Sequence, residues 1–285
     1  MELRELRYFV AVAEELHFGR AAARLHMTQP PLSRAVRRLE ADLGHPLLSR
    51  SPTGVALTPA GAALYDEART LLAQADHARA RVAAAGGAAA LAVGTLGDSA
   101  ERVGAGLAAA YRERHPEVRV RVREADFTDP SAGLRAGLVD VALTRLPFDD
   151  AGLAVRVLRT DPVGVVLRAD DPLAGRPRLR SADLADRRWF RLPDGVDPRW
   201  RAYWSGPAGS DGPVVRTVHE CLQAVLWNGS VGLAPLDLDL PDGLTSVALA
   251  DMPPSRLVAA WPAAGANPLV RSFARIAADV YRAAA

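Results

Sequence analysis

The sequence contains no lysine, since all 35 of its basic residues are arginine. This absence excludes a phosphate-binding loop of the G-x-x-x-x-G-K type, a Schiff-base lysine and a kinase-type lysine. The chain has one cysteine, Cys221, so an internal disulfide is excluded and a two-cysteine redox switch is disfavoured. We expect Cys221 to be a small buried apolar residue, with a reactive thiol as the alternative.

Long hydrophobic runs are also missing. No stretch of about 18 apolar residues, no signal peptide and no lipidation motif occurs, so we expect a soluble, cytoplasmic protein without a membrane partner. The six histidines show no metal-ligand spacing, and no G-x-S-x-G motif occurs. We therefore expect no metal, no cofactor and no enzymatic activity. With 285 residues, of which 49% are hydrophobic, the chain has room for two or three domains.

Residues 18–43 have the pattern of two short helices joined by a tight turn. Thr28 is placed to cap the second helix, which has prolines in its first turn and ends at Gly44. Apolar residues at helical spacing form the predicted inner face: Ala22, Leu25, Leu32, Val36, Leu39 and Leu43. Ser33, Arg34, Arg37 and Arg38 remain on the outer face. The pattern predicts a helix-turn-helix that enters a major groove, and a helical hairpin with a solvated charged face is the alternative.

A short hairpin and a local excess of positive charge favour the nucleic-acid interpretation. Residues 47–50 and 55–58 flank a Pro/Gly turn at 51–54, which predicts a wing beside the second helix. Residues 17–58 carry six Arg and two acidic residues, a net charge of +4, whereas the whole chain carries +2. Residues 60–285 hold 27 Arg and 27 acidic residues. The positive charge is thus concentrated where the helix pair would meet phosphates.

The N-terminal sixty residues or so resemble the signature of LysR-type transcriptional regulators, with nearly gapless spacing. The matching positions are Leu6-Arg7-Tyr8-Phe9, Phe18, Ala21-Ala22, Leu25, Thr28-Gln29-Pro30-Pro31-Leu32-Ser33, Arg38-Leu39-Glu40, Leu43-Gly44, Pro46-Leu47, Arg50, Leu57-Thr58 and Ala60-Gly61. Leu48 replaces the phenylalanine that is usual in the family. The resemblance implies a transcriptional regulator with an N-terminal winged helix-turn-helix, a C-terminal effector domain similar to periplasmic binding proteins, and contact with RNA polymerase.

Specific side chains of the second helix and the wing are expected to contact double-stranded DNA. Gln29, Ser33 and Arg34 should reach base edges, with Arg34 best placed for a guanine. Arg37, Arg38 and Arg50 should contact phosphates. The full predicted DNA-binding set is Thr28, Gln29, Pro30, Ser33, Arg34, Arg37, Arg38 and Arg50.

A long helix is predicted from Thr58-Pro59 to about Ala85. It carries a heptad seam that we interpret as a dimerisation face: Leu64, Ala68, Leu71, Ala75, Ala78 and Val82. The alternative is a helix packed on its own domain. The resemblance implies that two chains pair through this helix. The two helix-turn-helix domains of such a dimer should bind a roughly palindromic promoter site. A homodimer and a homotetramer are both compatible with the sequence.

After a hinge at 86–90, short apolar runs alternate with helical stretches. This order is typical of an α/β domain with doubly wound, parallel sheets. Strands are predicted at 91–95, 118–122, 139–143, 163–167, 189–192, 214–217, 231–234 and 256–261, with 118–122 at a sheet edge, and helices at 99–114, 130–136, 198–204, 219–227 and 268–282. The expected domains are 1–58 for DNA binding, 59–87 for the linker helix and hinge, and 88–285 for effector binding. Within the last, 88–160 and 262–285 form one lobe and 161–261 the other.

Ligands bind where strands of such sheets end, so the strand ends mark the predicted effector site between the lobes. The candidates are Thr95, Asp98, Ser99, Asp126, Phe127, Thr128, Arg145, Pro193, Thr217 and His219. Arg145 could clamp a carboxylate of an organic anion, or it could pair with a neighbour such as Asp126. Asp98 and Phe127 depart from the small polar residues common in the family. Trp200, Tyr203 and Trp204 could cover the pocket mouth or pack in a core.

Two other classes of protein remain open. The lobes alone would suit a small-molecule binding protein or transporter component, although such a protein would lack the basic N-terminal module. An α/β enzyme, such as an oxidoreductase, is the second alternative. Residues 104–109 match a loose dinucleotide-binding fingerprint. This match is weak evidence for an enzyme, because the stretch lies inside a predicted helix and not directly after a strand.

Overall fold

A computed structural model of the chain describes residues 1–51, 54–85, 89–97, 104–206, 210–264 and 267–284. The chain divides into two compact units, Met1–Ala83 and Ala84–Ala285. None of the helices in the described part is long and apolar enough to cross a membrane.

The N-terminal unit is a winged helix-turn-helix followed by a long helix, as predicted. Its elements are α1 (Leu3–Glu15), α2 (Phe18–Arg24), α3 (Gln29–Leu43), β1 (Leu48–Ser51), β2 (Gly54–Leu57) and α4 (Pro59–Ala85). The wing strands pair antiparallel, with Leu48 opposite Leu57 and Ser51 opposite Gly54. Residues 52–53 of the predicted turn lie outside the described part of the chain. Thr58 caps α4 as expected, because its hydroxyl accepts a hydrogen bond from the Gly61 amide at 3.0 Å.

The apolar inner face predicted for α2 and α3 is largely correct. Ala22, Leu32, Val36 and Leu39 are buried in one cluster with α1. Leu43 is an error of the prediction, since 36% of it is exposed. It lies in the last turn of α3, next to the C-cap Gly44, where the helix has passed beyond the core.

Thr28 is the N-cap residue of α3, but its side chain makes no capping hydrogen bond, contrary to the prediction. The capping side chain that sequence reasoning missed belongs to α2. There, His17 Nδ1 accepts hydrogen bonds from the amides of Gly19, at 3.0 Å, and Arg20, at 3.2 Å. These bonds satisfy two of the donors that a helix start leaves without partners.

The predicted seam of α4 is divided between two environments. Its first part packs on the helix-turn-helix core, where Ala68 is fully buried and Leu64 half-buried. Farther along, Leu71 is 37% and Val82 74% exposed. One end of the helix therefore packs on its own unit, as in the alternative interpretation, and the other end leaves apolar side chains uncovered. The dimerisation role stays a prediction.

The C-terminal unit contains two lobes, each built on its own sheet. The sheet of the first lobe has the order β4-β3-β5-β10-β6. Its elements are β3 (Ala90–Leu96), α5 (Gly104–Arg114), β4 (Arg119–Ala125), β5 (Val141–Leu146), β6 (Leu153–Asp161), β10 (Ser255–Pro262) and α8 (Pro268–Ala283). Strands β4, β3 and β5 are parallel, and β10 runs antiparallel to β5 and β6. The predicted edge position of β4 is confirmed.

The second lobe has a smaller sheet with the order β8-β7-β9, and both pairings in it are antiparallel. Its elements are β7 (Val163–Arg168), a short 3-10 helix (Ser181–Leu184), α6 (Pro198–Trp204), α7 (Val218–Asn228), β8 (Gly232–Pro235) and β9 (Leu244–Ala248). Single parallel bridges join Trp189 to Val231 and Arg191 to Val214. The α/β class is thus confirmed, but with mixed sheets rather than the purely parallel sheets we expected.

Several predicted elements need correction. The stretch 130–136 is a series of turns rather than a helix, and Ala132 and Gly133 have φ of 50° and 91°. The Asp129 carboxylate holds these turns by accepting hydrogen bonds from the amides of Ser131 and Gly133, at 3.1 and 2.7 Å. The backbone then passes so close to Gly94 that a Cβ there would lie 2.0 Å from the Ala132 carbonyl oxygen.

The remaining corrections concern strands. Residues 189–192 and 214–217 form isolated bridges instead of strands, and β6 and β9 were not predicted. Strand β10 was assigned to the second lobe, yet it lies between β5 and β6 of the first. The chain therefore crosses between the lobes twice, between β6 and β7 and again between β9 and β10. The two crossings meet where Asp161 pairs with Ser255.

Candidate nucleic-acid interface and ligand pocket

Helix α3 presents most of the predicted DNA-contacting side chains at its surface. Thr28, Gln29, Pro30, Arg34, Arg37 and Arg38 are exposed, and Ser33 is half-buried. Arg34 and Arg37 form no ion pair with any residue of the described ranges, whereas Arg38 Nε lies 3.4 Å from the buried Glu5 carboxylate. The Arg50 side chain lies outside the described part of the chain. Arg34 and Arg37 are therefore the cations with the least competition for a phosphate or a base.

Two glutamates that sequence reasoning missed hold this module together. Glu40 Oε1, near the end of α3, accepts hydrogen bonds from the amides of Leu47 at 2.9 Å and Leu48 at 3.1 Å. Glu5 is buried in α1, where it accepts the Glu2 amide at 2.9 Å and pairs with Arg38. Because Leu48 begins β1, the Glu40 carboxylate ties the wing to α3. The motif Arg38-Leu39-Glu40 marked Glu40 in the sequence, but it did not indicate that the Leu47 and Leu48 amides are its hydrogen-bond partners.

The C-terminal unit contains a pocket of about 600 Å³, a volume that includes its open mouth. Both lobes contribute to the wall. The lining residues are Leu96, Phe127, Arg145, Val166, Phe190, Leu192, Trp200, Trp204, Val218, Cys221, Leu222, Val225, Gly232, Leu233, Ala234, Pro235 and Leu238. Among these, Arg145 is the one charged residue, and the rest of the wall is aliphatic or aromatic apart from the Cys221 thiol. A mostly apolar wall with one charged side chain is suited to a small organic ligand.

Aromatic residues of α6 form part of this wall. The ring centre of Trp200 lies 6.2 Å from that of Phe127 and 5.5 Å from that of Trp204. Asp197 caps the helix by accepting the amides of Arg199 and Trp200, each at 2.9 Å. Both tryptophans are buried and also line the pocket, so core packing and a pocket role apply together.

Tyr203, the third aromatic residue of α6, does not line the pocket. Its hydroxyl donates to the Pro253 carbonyl, and burial raises the pKa of this phenol to about 12. It therefore stays protonated across the neutral range and anchors α6 to the segment before β10.

Arg145 is engaged by neighbouring groups rather than open to a ligand carboxylate. Its Nη1 lies 2.6 Å from Asp161 Oδ2 and 3.1 Å from Ser255 Oγ, and the Arg145 and Asp161 side chains are only 4% and 5% exposed. The alternative of an ion pair was right in kind, but the partner is Asp161, not Asp126. Asp161 and Ser255 lie where the chain crosses between the lobes. The buried ion pair of Arg145 and Asp161 therefore links the pocket wall to these crossing segments.

The other predicted effector residues fall beside the pocket wall. Thr95, Pro193 and Thr217 do not line it, whereas their neighbours Leu96, Leu192 and Val218 do. Asp126, Thr128 and His219 are also absent from the wall, and Asp98 and Ser99 lie outside the described residues. Sequence reasoning located the strand ends within one residue, but strand twist and side-chain direction decide which neighbour faces the cavity.

Two predicted polar side chains have partners of their own. Asp126 Oδ1 accepts hydrogen bonds from the Thr128 amide, at 2.9 Å, and from the Thr128 hydroxyl. Thr217 caps α7, where its hydroxyl accepts the Glu220 amide at 3.1 Å, and the Glu220 carboxylate accepts the Arg216 amide at 2.6 Å. The side chains of Asp126 and Thr128 thus stabilise a turn, and those of Thr217 and Glu220 stabilise the start of α7.

Cys221 is half-buried in α7 and lines the pocket. The expectation of a buried apolar residue is thus correct in part, since the thiol side chain contributes to a cavity wall. Over the ranges that the structure describes, no cluster of three or more His, Cys, Asp or Glu side chains is arranged to hold a metal ion.

Two family models together match almost the whole length of the chain. Residues 3–62 match the model of the "Bacterial regulatory helix-turn-helix protein, lysR family", and residues 84–282 match that of the "LysR substrate binding domain". The regulator YnfL of Escherichia coli is 39% identical over 188 residues, and AlsR of Bacillus subtilis 35% over 188 residues. Each alignment covers 65% of this chain. The aligned regions span only 63% and 62% of those two relatives.

Solved structures match over the full length. Full-length BenM is 26% identical, with a TM-score of 0.56 and coverage of 100% of this chain and 98% of BenM. CbnR, solved in complex with its target DNA, has a TM-score of 0.63 and covers 99% of this chain and 100% of its own. At 23% identity, the likeness to CbnR concerns the fold alone.

Proposed function

The chain belongs to the LysR family of bacterial regulators, and we propose that it binds promoter DNA and controls transcription in response to a small-molecule effector. The observation that carries the proposal is the surface of α3, where Arg34 and Arg37 are exposed and not engaged in ion pairs with described residues. In a helix-turn-helix this helix enters the major groove. Cations without intramolecular partners keep their full attraction for phosphates and for the acceptor atoms of guanine.

The residue roles follow from exposure and side-chain chemistry. Arg34 would read a base edge together with Gln29 and Ser33. Arg37, Arg50 and Arg38 would contact phosphates, with Arg38 the weakest because Glu5 competes for it. Thr28, whose hydroxyl makes no capping hydrogen bond, and the exposed Pro30 would complete the DNA-contacting surface at the start of α3.

The pocket between the lobes would bind the effector. Effector binding would change the spacing of the two helix-turn-helix domains in the dimer. A change of this kind would alter the bend of the DNA and the contact with RNA polymerase. The exposed end of the α4 seam, with Leu71 and Val82, would pair two chains and so two half-sites, in a homodimer or a homotetramer. The protein would act in the cytoplasm as a regulator without enzymatic activity, in keeping with the names of its relatives.

The first test is a footprint of the purified protein on the DNA upstream of its own gene. We expect a protected, roughly palindromic site that survives physiological salt. Protection at low salt alone would indicate phosphate attraction without sequence reading and would contradict the proposal.

Two variants separate phosphate contact from base reading on that site. Arg37→Ala should weaken binding to all sequences alike and reduce the salt slope by about 1 per protomer. Arg34→Ala should cost about 1–3 kcal/mol on the preferred site and relax base preference. Arg112→Ala, which removes an exposed arginine from the C-terminal unit, is the matched control and should bind like the wild type. If Arg34→Ala binds every sequence as the wild type does, the groove assignment is wrong.

A further inference from the structure

We infer that the effector is an uncharged, largely aromatic molecule and not an organic anion. This inference rests on the proposed function, because it takes the pocket between the lobes as the effector site. It also departs from our expectation that Arg145 could clamp a carboxylate.

The charge of Arg145 is already balanced inside the protein. Asp161 lies 2.6 Å from both Arg145 Nη1 and Arg159 Nε, and Arg159 Nη2 lies 2.9 Å from Asp237. Two arginines and two aspartates thus form a cluster with no net charge. An anionic ligand near Arg145 would be repelled by Asp161 at the same site, or would have to displace a carboxylate that is 5% exposed. Breaking a buried pair is unfavourable because it leaves a charge without its partner.

The polar groups near the pocket do not compensate for this. The Thr128 hydroxyl donates to Asp126, and the start of α7 carries the Glu220 carboxylate, which opposes a second negative charge at that helix end. Glu124 adds another carboxylate near the pocket, since a Cβ at Gly97 would lie 3.2 Å from its Oε1 and 3.8 Å from Cγ2 of the pocket-lining Val218. These carboxylates lie near the described wall of the pocket and not in it. Because Arg145, the one charged residue of that wall, is already paired with Asp161, an anion would lose hydration there without gaining an unpaired cation.

The wall itself favours an aromatic ligand. Phe127, Phe190, Trp200 and Trp204 supply four aromatic side chains from segments of both lobes. The ring-centre distances of 5.5 to 6.2 Å between Trp200 and its neighbours lie in the range of stacked and edge-to-face aromatic pairs. A flat ligand could extend this cluster and bury apolar surface on the aliphatic residues of α7 and β8.

The two tryptophans also leave polar atoms unsatisfied. The indole N–H groups of Trp200 and Trp204 are buried and have no acceptor within the described ranges. A buried donor without a partner is unfavourable. Because these nitrogens are not exposed to the cavity, a neutral oxygen acceptor on the ligand would reach one of them only after a shift of its tryptophan, and it would bring no charge into the pocket.

The test compares two nearly isosteric probes, 2-naphthamide and 2-naphthoate, which share the ring system and differ in charge. Calorimetric titration of the full-length protein should give a Kd of about 1 mM or tighter for the amide. The carboxylate should bind about tenfold more weakly or worse. Equal or tighter binding of the carboxylate, or no binding of either probe, would overturn the inference.

The location of the bound probe can be read from Cys221, the only cysteine of the chain. Because Cys221 lines the pocket, the amide should slow its reaction with iodoacetamide, and the carboxylate at the same concentration should slow it far less. Binding that leaves the labelling rate unchanged would place the probe elsewhere and overturn the inference.

Asp161→Asn tests the physical cause. Without this carboxylate, Arg145 and Arg159 keep their charge while the cluster loses a counter-charge, so 2-naphthoate should bind about tenfold more tightly and the amide about as before. Asp170→Asn removes an exposed carboxylate that pairs with Arg168, and it should change neither affinity. If Asp161→Asn folds, as judged by its circular dichroism, and 2-naphthoate affinity does not rise, Arg145 is not the group that sets charge selectivity. If the variant does not fold, the comparison of the two probes on the wild type still decides.

These measurements need no DNA, so they are separate from the test of the regulator function. A failed footprint together with selective amide binding would contradict the regulator but leave the ligand class intact. A sequence-specific footprint together with preferential binding of the carboxylate would contradict the ligand class alone.

Discussion

The Glu40 carboxylate offers a sharp test of how the winged helix-turn-helix is held together. One oxygen, Oε1, accepts both the Leu47 amide at 2.9 Å and the Leu48 amide at 3.1 Å. The two leucines are 1% and 5% exposed, so water has little access to them. In Glu40→Ala both amides lose their acceptor at once, and the entry into β1 keeps its apolar packing against the core that it shares with α3.

The size of the effect follows from hydrogen-bond energetics. A hydrogen bond to a charged group contributes about 1.5–3 kcal/mol, and one between neutral groups about 0.5–1.5 kcal/mol. Because Glu40 is half-buried and water can partly replace it, we expect Glu40→Ala to cost about 2–4 kcal/mol for local opening of the wing. Glu40→Gln keeps a carbonyl oxygen without the charge and should cost about 1–2 kcal/mol.

Amide hydrogen exchange measured by mass spectrometry can detect this opening directly. A loss of about 2 kcal/mol corresponds to exchange roughly 30-fold faster at Leu47 and Leu48 in Glu40→Ala. Peptides covering β5 (141–146), in the other unit, are the internal control and should exchange unchanged. Since β1 carries Arg50, DNA affinity should fall in the same order, wild type above Gln above Ala. Unaltered exchange at both leucines in Glu40→Ala would refute the role assigned to this carboxylate.

Two further predictions concern the C-terminal unit, whose unfolding by urea is reported by the five tryptophans, all within residues 189–261. Asp197→Ala removes the acceptor for the Arg199 and Trp200 amides, so it should destabilise this unit by about 1–3 kcal/mol, while Asp197→Asn should restore most of that loss. Burial raises the pKa of Tyr111 and of Tyr203 from 10.0 to about 12, so the folded chain holds these two protons where the unfolded chain releases them. The contribution of these two groups to stability should therefore be full below pH 10 and fall as the pH rises from 10 to 12. The double variant Tyr111→Phe/Tyr203→Phe should lose much of this pH dependence. If the wild-type stability changes with pH as little as that of the double variant, the assignment is contradicted.

The winged helix-turn-helix could be predicted from the sequence because its contacts are local. Helical spacing placed Leu32, Val36 and Leu39 on one buried face, and Gly44 ended the helix where only a residue at ease with positive φ fits. The same local reasoning failed at Leu43 and Thr28. Both lie at the ends of α3, where the position of the core and the direction of one hydroxyl decide the outcome.

The C-terminal unit was harder because its strands pair across long separations. Strand β6 has no clear alternation of apolar and polar residues, and β10, which lies about a hundred positions later, is its partner. The predicted helix at 130–136 failed because Asp129 and Gly133 favour turns over a helix. Composition could predict alternating strands and helices, but it could not predict which strands would be neighbours.

The family of the protein, the bounds of helix α3 and the excess of positive charge near that helix could be inferred from the sequence alone, since they depend on residue type and local spacing. Sequence reasoning also found Arg145 and Phe127 as pocket residues. Only the tertiary structure decided what Arg145 does there. Its partners, Asp161 and Ser255, are 16 and 110 positions away in the chain, and the pairing of β10 with β5 and β6 brings all three together. Electrostatic selectivity depends on distances between charges, and no linear pattern in the sequence contains those distances.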